Sequence, residues 1–432
     1  MSPSGPANIL SAIWAPGVRI FIGLLVFTAA TLTEVFWVGM SGPDHLRALG
    51  SCIPIVVIAS AAVLGAGTGI TVATAKLSAQ ELGTEHGTLL PGFGLLMIVA
   101  LCACATILAL GDWILALFGT AGVALDLAQL YLRVWVVGLV IGVPVFVLGA
   151  LFRGAGRPGE ALKLLLICSA VTCVVQPAAI LGTPFTPGAG VVGGAIASAL
   201  GYLGGLLYIM CARTSRTAVL LGIRTRVRAP FREIARTGLA ASLAQSVDPV
   251  ALAIVTAGAA LISTEMVADM ALLSRIERLV LIMPVAISLT IPRLYASAYQ
   301  YGDDSRPLVS TAAFSAAAYI GIVGGMVVLA AFATAQFTSL GSQFIGWVIA
   351  AAIANLIPVA AIVVLLPHLY VQGRPRSALL VSVTQTFALT PAATALGVSF
   401  GDLSVVYLAL ASLNLIVLLW LWRQVLQSVD RA

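Results

Sequence analysis

Charge is what this chain has least of. Asp, Glu, Lys and Arg make up 9% of its 432 residues, where soluble domains carry roughly 25%. So few charges cannot cover a surface in water. This excludes a soluble globular domain and, with it, a nucleic-acid-binding one. Histidine is as scarce: His45, His86 and His368 fall in or near expected loops and none pairs with another, so no histidine relay or metal site is expected. The six cysteines, Cys52, Cys102, Cys104, Cys168, Cys173 and Cys211, form no CxxC pair and no metal-ligand spacing. They read as small packing residues, not as a disulfide or zinc framework. HExxH, GxSxG, paired catalytic acids and a phosphate-binding loop are all missing, which argues against an intramembrane enzyme. Without a nucleotide loop, any energy-requiring step would draw on an ion gradient unless a partner subunit hydrolyses ATP. Met1 to Pro16 is short and polar without a small-residue cleavage site, so no signal peptide is expected.

What the chain has is apolar length. It is 60% hydrophobic with a mean hydropathy of +1.09, and its apolar runs are continuous over about 20 residues or more, the length a helix needs to cross a bilayer. Membrane strands would alternate apolar and polar residues instead. The 42 Gly and 20 Pro are compatible with membrane helices, which tolerate both. The pattern predicts an all-α polytopic membrane protein of about twelve spans. Their cores lie at 18–40, 49–76, 89–111, 127–151, 161–183 and 190–212 in the first half. In the second half they lie at 234–262, 268–292, 309–334, 342–367, 377–397 and 403–424.

The loops orient these spans. With the N-terminus inside, Lys76, Arg153, Arg157, Lys163, Arg293, Arg306, Arg374, Arg376, Arg423 and Arg431 all fall on the inner side. Arg47 and the acids Asp44, Asp112, Glu265 and Asp402 fall outside. That is the positive-inside pattern, and an odd number of spans would scramble it. The strongest cluster, Arg213, Arg216, Arg224, Arg226, Arg228, Arg232 and Arg236 against Glu233 alone, sits at mid-chain between the apolar halves. It reads as an inner linker and topological anchor. The expected organisation is a first lobe at 1–212, a basic linker at 213–233 and a second lobe at 234–432. The protein would lie in a bacterial cytoplasmic membrane, with both termini cytoplasmic.

The halves resemble each other. Gly156-Arg157-Pro158 recurs as Gly373-Arg374-Pro375, each followed by Ala-Leu, at Ala161-Leu162 and Ala378-Leu379, about half the chain apart. Each half holds an even number of spans, so the two enter from the same side as a parallel repeat about an axis along the membrane normal.

Several stretches resemble the multidrug and toxic compound extrusion (MATE) family. Thr33-Glu34-Val35-Phe36-Trp37-Val38-Gly39 is similar to the family's acidic residue followed by Phe-Phe-Val-Gly. Ala75-Lys76-Leu77-Ser78-Ala79-Gln80-Glu81-Leu82-Gly83 is similar to its first cytoplasmic turn. Tyr131-Leu132-Arg133, Leu151-Phe152-Arg153-Gly154-Ala155-Gly156, Gln176-Pro177 and Gly190-Val191-Val192-Gly193-Gly194-Ala195-Ile196-Ala197 continue the match. Gly238-Leu239, Arg275-Ile276-Glu277 and Met283-Pro284 carry it into the second half. The match is best to the bacterial branch that includes the DNA-damage-inducible F proteins. The resemblance implies two six-helix lobes related by pseudo-two-fold symmetry, forming a V around a central cavity. It also implies substrate export driven by inward flow of H⁺ or Na⁺.

An ionisable group in lipid costs about 2.5–3.5 kcal/mol even on lenient scales, so each one needs a reason. Glu34 is the first candidate for cation coupling. Apolar surroundings favour the neutral form of a carboxyl, so such a group can bind and release a proton, or join neighbouring oxygens around Na⁺. The resemblance places a functional acid, usually Asp, at this position. The alternative is a Glu bonded within its own helix or reaching the interface. Asp248 is the second candidate: Pro249 after it removes a backbone bond and frees a carbonyl, and Gln245 lies about a turn earlier. Thr172, Gln176 and Asn355 are polar helpers. Relatives carry Asp at the position of Gln176, Asn at that of Thr172, and in another branch an acid in span ten, so this chain departs from them. Arg275, Glu277 and Arg278 form a candidate buried charge network, either a structural lock or part of transport. Phe36, Trp37 and Met283 are candidate cavity-lining residues.

The resulting expectation is a monomeric secondary antiporter, without cofactor or metal. It would export small organic, cationic or amphiphilic compounds by alternating access in exchange for H⁺ or Na⁺. A secondary-metabolite exporter fits equally. A lipid-linked saccharide flippase is the nearest rival, but it needs cavity cations, and only Arg133, Arg275 and Arg278 are available.

Overall fold

In lipid every backbone polar group has to be bonded within the protein, which leaves helices as the solution for long apolar runs. The computed structural model describes residues 6–79, 85–117, 120–183, 186–213, 217, 219, 230–262, 264–301, 305–337 and 342–429. Among these, twelve helices are long and apolar enough to cross a membrane. In chain order they are α1 (Pro6–Ser41), α2 (Pro43–Ala79), α3 (Leu89–Leu117), α4 (Val123–Gly154), α5 (Pro158–Leu181) and α6 (Val191–Cys211). There follow α7 (Phe231–Ile262), α8 (Thr264–Tyr301), α9 (Arg306–Phe337), α10 (Ser342–Val371), α11 (Pro375–Phe400) and α12 (Leu403–Val429). Several helices outrun their apolar cores. Helix α1 has 36 residues and α2 has 37, where about 20 cross the hydrocarbon. The excess carries the polar ends beyond it. Helix α11 is interrupted by a π turn at Gln385–Leu389.

The chain divides into two compact units. One contains Ile22–Ser246, and the other Met1–Phe21 with Val247–Ala432. In the first, α4 packs against α2, α3, α5 and α6. In the second, α10 packs against α8, α9, α11 and α12. These central helices, the fourth of each half, have 67% and 72% of their most apolar windows buried.

The sequence repeat is a repeat of structure. Gly156 (φ 68°) and Gly373 (φ 73°) take left-handed conformations that only glycine adopts without strain. Behind them Arg157 N–H donates to Phe152 C=O at 2.7 Å, and Arg374 N–H to Leu369 C=O at 2.9 Å. Pro158 and Pro375 then start the next helix, where a missing N–H costs nothing. The same reversal thus ends α4 and α10 and begins α5 and α11.

Inside the first unit, the start of α7 lies tightly on α2. A Cβ at Gly65 would meet the backbone of Ala241 and Ser242, and one at Gly69 the backbone of Ile234 and Gly238. Small residues allow such backbone approach in membranes. Lys76 Nζ bonds Glu233 Oε1 at 2.9 Å beside this seam. Of the basic stretch, Arg213, Arg232 and Arg236 are exposed, and Arg216, Arg224, Arg226 and Arg228 lie outside the described residues. A two-stranded hairpin at Gly182–Thr183 and Thr186–Pro187 joins α5 to α6, where the hydropathy pattern predicts only a short loop.

Candidate functional site

Glu34 lies in the last third of α1, inside the first unit, and is only 8% exposed. The Tyr131 hydroxyl of α4, itself buried, donates to Glu34 Oε1 at 3.2 Å. Helix α6 makes room for the carboxyl. Its first turn is rich in glycine, and a Cβ at Gly194 would overlap Glu34 Oε1. The helix backbone therefore lies directly on the carboxyl, and a phenol supplies its hydrogen bond. A group so placed can exchange a proton while staying out of bulk water.

Directly before Glu34 on α1, Thr33 Oγ1 donates to Gln176 Oε1 at 2.7 Å, and Gln176 Nε2 donates to the Ala30 carbonyl, one turn earlier, at 3.1 Å. Gln176 is wholly buried, so this amide staples α5 to α1 with donor and acceptor both engaged. Thr172, one turn earlier on α5, donates to the Cys168 carbonyl of its own helix at 2.9 Å. Gln176 thus lies against Glu34's helix and Thr172 against α6 at Gly201, and both spend these bonds on structure.

The second unit is arranged differently. Asn414 of α12 links two other amides: its Nδ2 donates to Asn355 Oδ1 of α10 at 2.9 Å, and its Oδ1 accepts from Gln385 Nε2 of α11 at 2.8 Å. Gln385 opens the π turn, and Thr390 Oγ1 donates to its carbonyl at 2.8 Å. Such turns are frequent at functional sites. Glu277 of α8 accepts a bond from the buried Tyr407 hydroxyl of α12, and Arg278 beside it is exposed. Asp248 falls within α7 next to Pro249, but its side chain and that of Arg275 lie outside the described residues. Gln245 is half-buried on the same helix. Phe36 is 62% exposed and stacks edge-on against Trp37 at 5.0 Å. Met283 is buried near Gly17, in contact range of a Cβ there.

Four residues enter the polar sites without having been singled out for them in the sequence: Tyr131, Gly194, Gln385 and Asn414. A scan for ionisable groups passes over a phenol, a glycine and two amides. The available signal was an amide inside an otherwise apolar span. His45, at the start of α2 and paired with no other histidine, accepts at Nδ1 from Val191 N–H at 3.2 Å. Likewise His368 is buried in α10, edge-on to Tyr295 at 4.5 Å and bonded to Gln372 at 2.7 Å.

Comparison with known proteins agrees with this architecture. A family model described as MatE matches residues 20–177, which include Glu34, Tyr131 and Gln176. A FAD transporter of Shewanella oneidensis is 24% identical over 66% of this chain and 64% of its own length. A probable multidrug resistance protein NorM of Deinococcus radiodurans is 33% identical over 28% of each chain. The chain's matches therefore span less than two thirds of these relatives. A solved outward-facing multidrug resistance MATE family transporter of the MOP superfamily superposes with a TM-score of 0.85 at 20% identity, over 99% of this chain and 97% of the other. At that identity the likeness is one of fold.

Proposed function

We propose that this chain is a transporter of the MATE family and no enzyme, and that it works as a secondary active antiporter coupled to protons. It exports small organic, cationic or amphiphilic compounds by alternating access. It acts as a monomer in a bacterial cytoplasmic membrane, with both termini inside. Within the family we assign it to the DNA-damage-inducible F branch on the motifs quoted above. The observation that carries the coupling is the Glu34 carboxyl: buried among apolar helices, bonded by one phenol and overlaid by a glycine backbone. Between its charged and neutral states such a carboxyl changes the local electrostatics by a full charge at low dielectric, enough to bias two conformations.

Protons are favoured over Na⁺ as the coupling ion. A hard cation needs several oxygen ligands. Beside Glu34 stand the Tyr131 hydroxyl and the Gly194 backbone, and the Gln176 amide oxygen already accepts from Thr33. Asp248 is the coupling candidate of the second unit. Proteoliposomes loaded with ethidium test the reading under separately imposed H⁺ and Na⁺ gradients. Wild type should export with the proton gradient, and Glu34→Gln should lose that export. Na⁺-driven export, or wild-type export by Glu34→Gln and Asp248→Asn alike, overturns the assignment.

The similarity to the Shewanella FAD transporter supports a second reading, in which the cargo is a flavin nucleotide or a similar aromatic anion. FAD in the same vesicles distinguishes the two: gradient-driven FAD export without ethidium export favours the flavin. A lipid-linked saccharide flippase is disfavoured, because a pyrophosphate needs cations in the cavity and the sequence offers only Arg133, Arg275 and Arg278 as candidates. A secondary-metabolite exporter remains the alternative of the same class.

A further inference from the structure

The first turn of α6 touches two titratable side chains on one face. The helix starts after Gly190, whose φ of 54° and ψ of −134° leave it no capping side chain of its own. The first N–H groups of a helix have no partner within it. Here Val191 N–H finds one outside the helix: it donates to Nδ1 of His45, on the first turns of α2, at 3.2 Å. An N–H can donate only to a ring nitrogen that carries a lone pair, so the bond requires an imidazole unprotonated at Nδ1. Ring and turn are also in direct contact, since a Cβ at Gly190 would overlap the imidazole. Four residues on, at the spacing that returns to the same helix face, a Cβ at Gly194 would overlap Glu34 Oε1. One turn of backbone therefore rests on His45 at one end and on Glu34 at the other.

We propose that His45 is a positioning residue for the Glu34 site: as the neutral ring it caps α6 and holds Gly194 on the carboxyl, and on taking a proton it releases that turn. The inference rests on reading Glu34 as the coupling carboxyl. A proton on Nδ1 turns the acceptor into a second donor facing Val191 N–H. It also sets a positive charge at the positive end of the α6 dipole. Both changes act against the cap, and histidine is the side chain whose ordinary charge change falls between pH 5 and 8. The charged residues around it are few. On its own helix Asp44 and Arg47 pair with each other at 3.6 Å, both largely exposed. The turn of α6 that it touches carries no charge, α1 contributes Glu34, and Asp126 at the start of α4 is exposed. With the N-terminus inside, the α1–α2 connection faces outward. His45 then senses the pH from which coupling protons arrive.

Hydrogen exchange of the amides at 191–194 in the purified full-length protein tests the cap directly. Wild type should lose protection between pH 8 and pH 5 by roughly three- to thirty-fold after correction for intrinsic rates, the effect of losing an N-cap. His45→Asn places an acceptor near the position of Nδ1 without a titrating ring, and should stay protected at both pH values. His45→Ala should be unprotected at both. Equal pH dependence in wild type and His45→Asn, or full protection in His45→Ala at pH 8, overturns the proposal. Ethidium binding across the same pH range tests the link to the carboxyl: wild-type and His45→Asn profiles should differ, and coinciding profiles sever it. Exchange is read without transport, so failure of the Glu34 reading, shown by normal export from Glu34→Gln, is told apart from failure of the cap.

Discussion

Tyr131 donates its phenol proton to Glu34 Oε1 at 3.2 Å from the most buried helix of the first unit. The bond ties the buried carboxyl of α1 to the helix around which α2, α3, α5 and α6 pack. Any change in the charge of Glu34 is thereby felt at the centre of the unit.

Tyr131→Phe keeps the ring and removes the donor. A bond to a charged group is worth about 1.5–3 kcal/mol, or roughly a ten- to hundredfold effect. Proton-driven ethidium export should fall by at least tenfold while the protein stays monodisperse in detergent. Unchanged export would mean the phenol is packing only.

Gly194→Ala puts a methyl group where Glu34 Oε1 lies. Such overpacking costs about 1–3 kcal/mol, and both thermal stability and export should drop. Shortening the acid relieves the clash, so Glu34→Asp in the Gly194→Ala background should recover part of the stability. Strictly additive losses in the double variant would refute the contact.

Gln176→Leu removes a fully buried amide and its two bonds to α1, leaving Thr33 Oγ1 its bond to the Ala30 carbonyl at 2.9 Å. A typical hydrogen bond contributes about 0.5–1.5 kcal/mol net. The melting temperature should fall, and Thr33→Val added to it should cost less than it does in wild type. If the two substitutions do not couple, the staple between α1 and α5 carries little of the unit's stability.

Asn414→Leu cuts the amide chain at its middle, leaving Asn355 Oδ1 and Gln385 Nε2 without these partners. Interhelical bonds in membranes average about 0.6 kcal/mol and reach about 1.7, so two of them predict a loss of roughly 1–3 kcal/mol. Gln385→Leu should then add little to Asn414→Leu. A scanning calorimetry series in detergent decides it, and an undiminished transition in Asn414→Leu would rule the chain out as a brace for the π turn.

The apolar runs already carried the number of spans, and the recurring Gly-Arg-Pro the turn that both halves share. Those features depend on local composition: a run of about 20 apolar residues has one stable form in a bilayer, and a glycine before Arg-Pro has one economical turn. The partners were decided only in three dimensions. Nothing near Glu34 in the chain points to Tyr131 of α4 or Gly194 of α6, and nothing near His45 points to the first turn of α6. Likewise Gln385 and Asn414 are isolated amides until α11 and α12 pack on α10. Hydropathy records what each segment must hide. Which donor meets which acceptor depends on how closely the backbones approach, and here glycines set that distance.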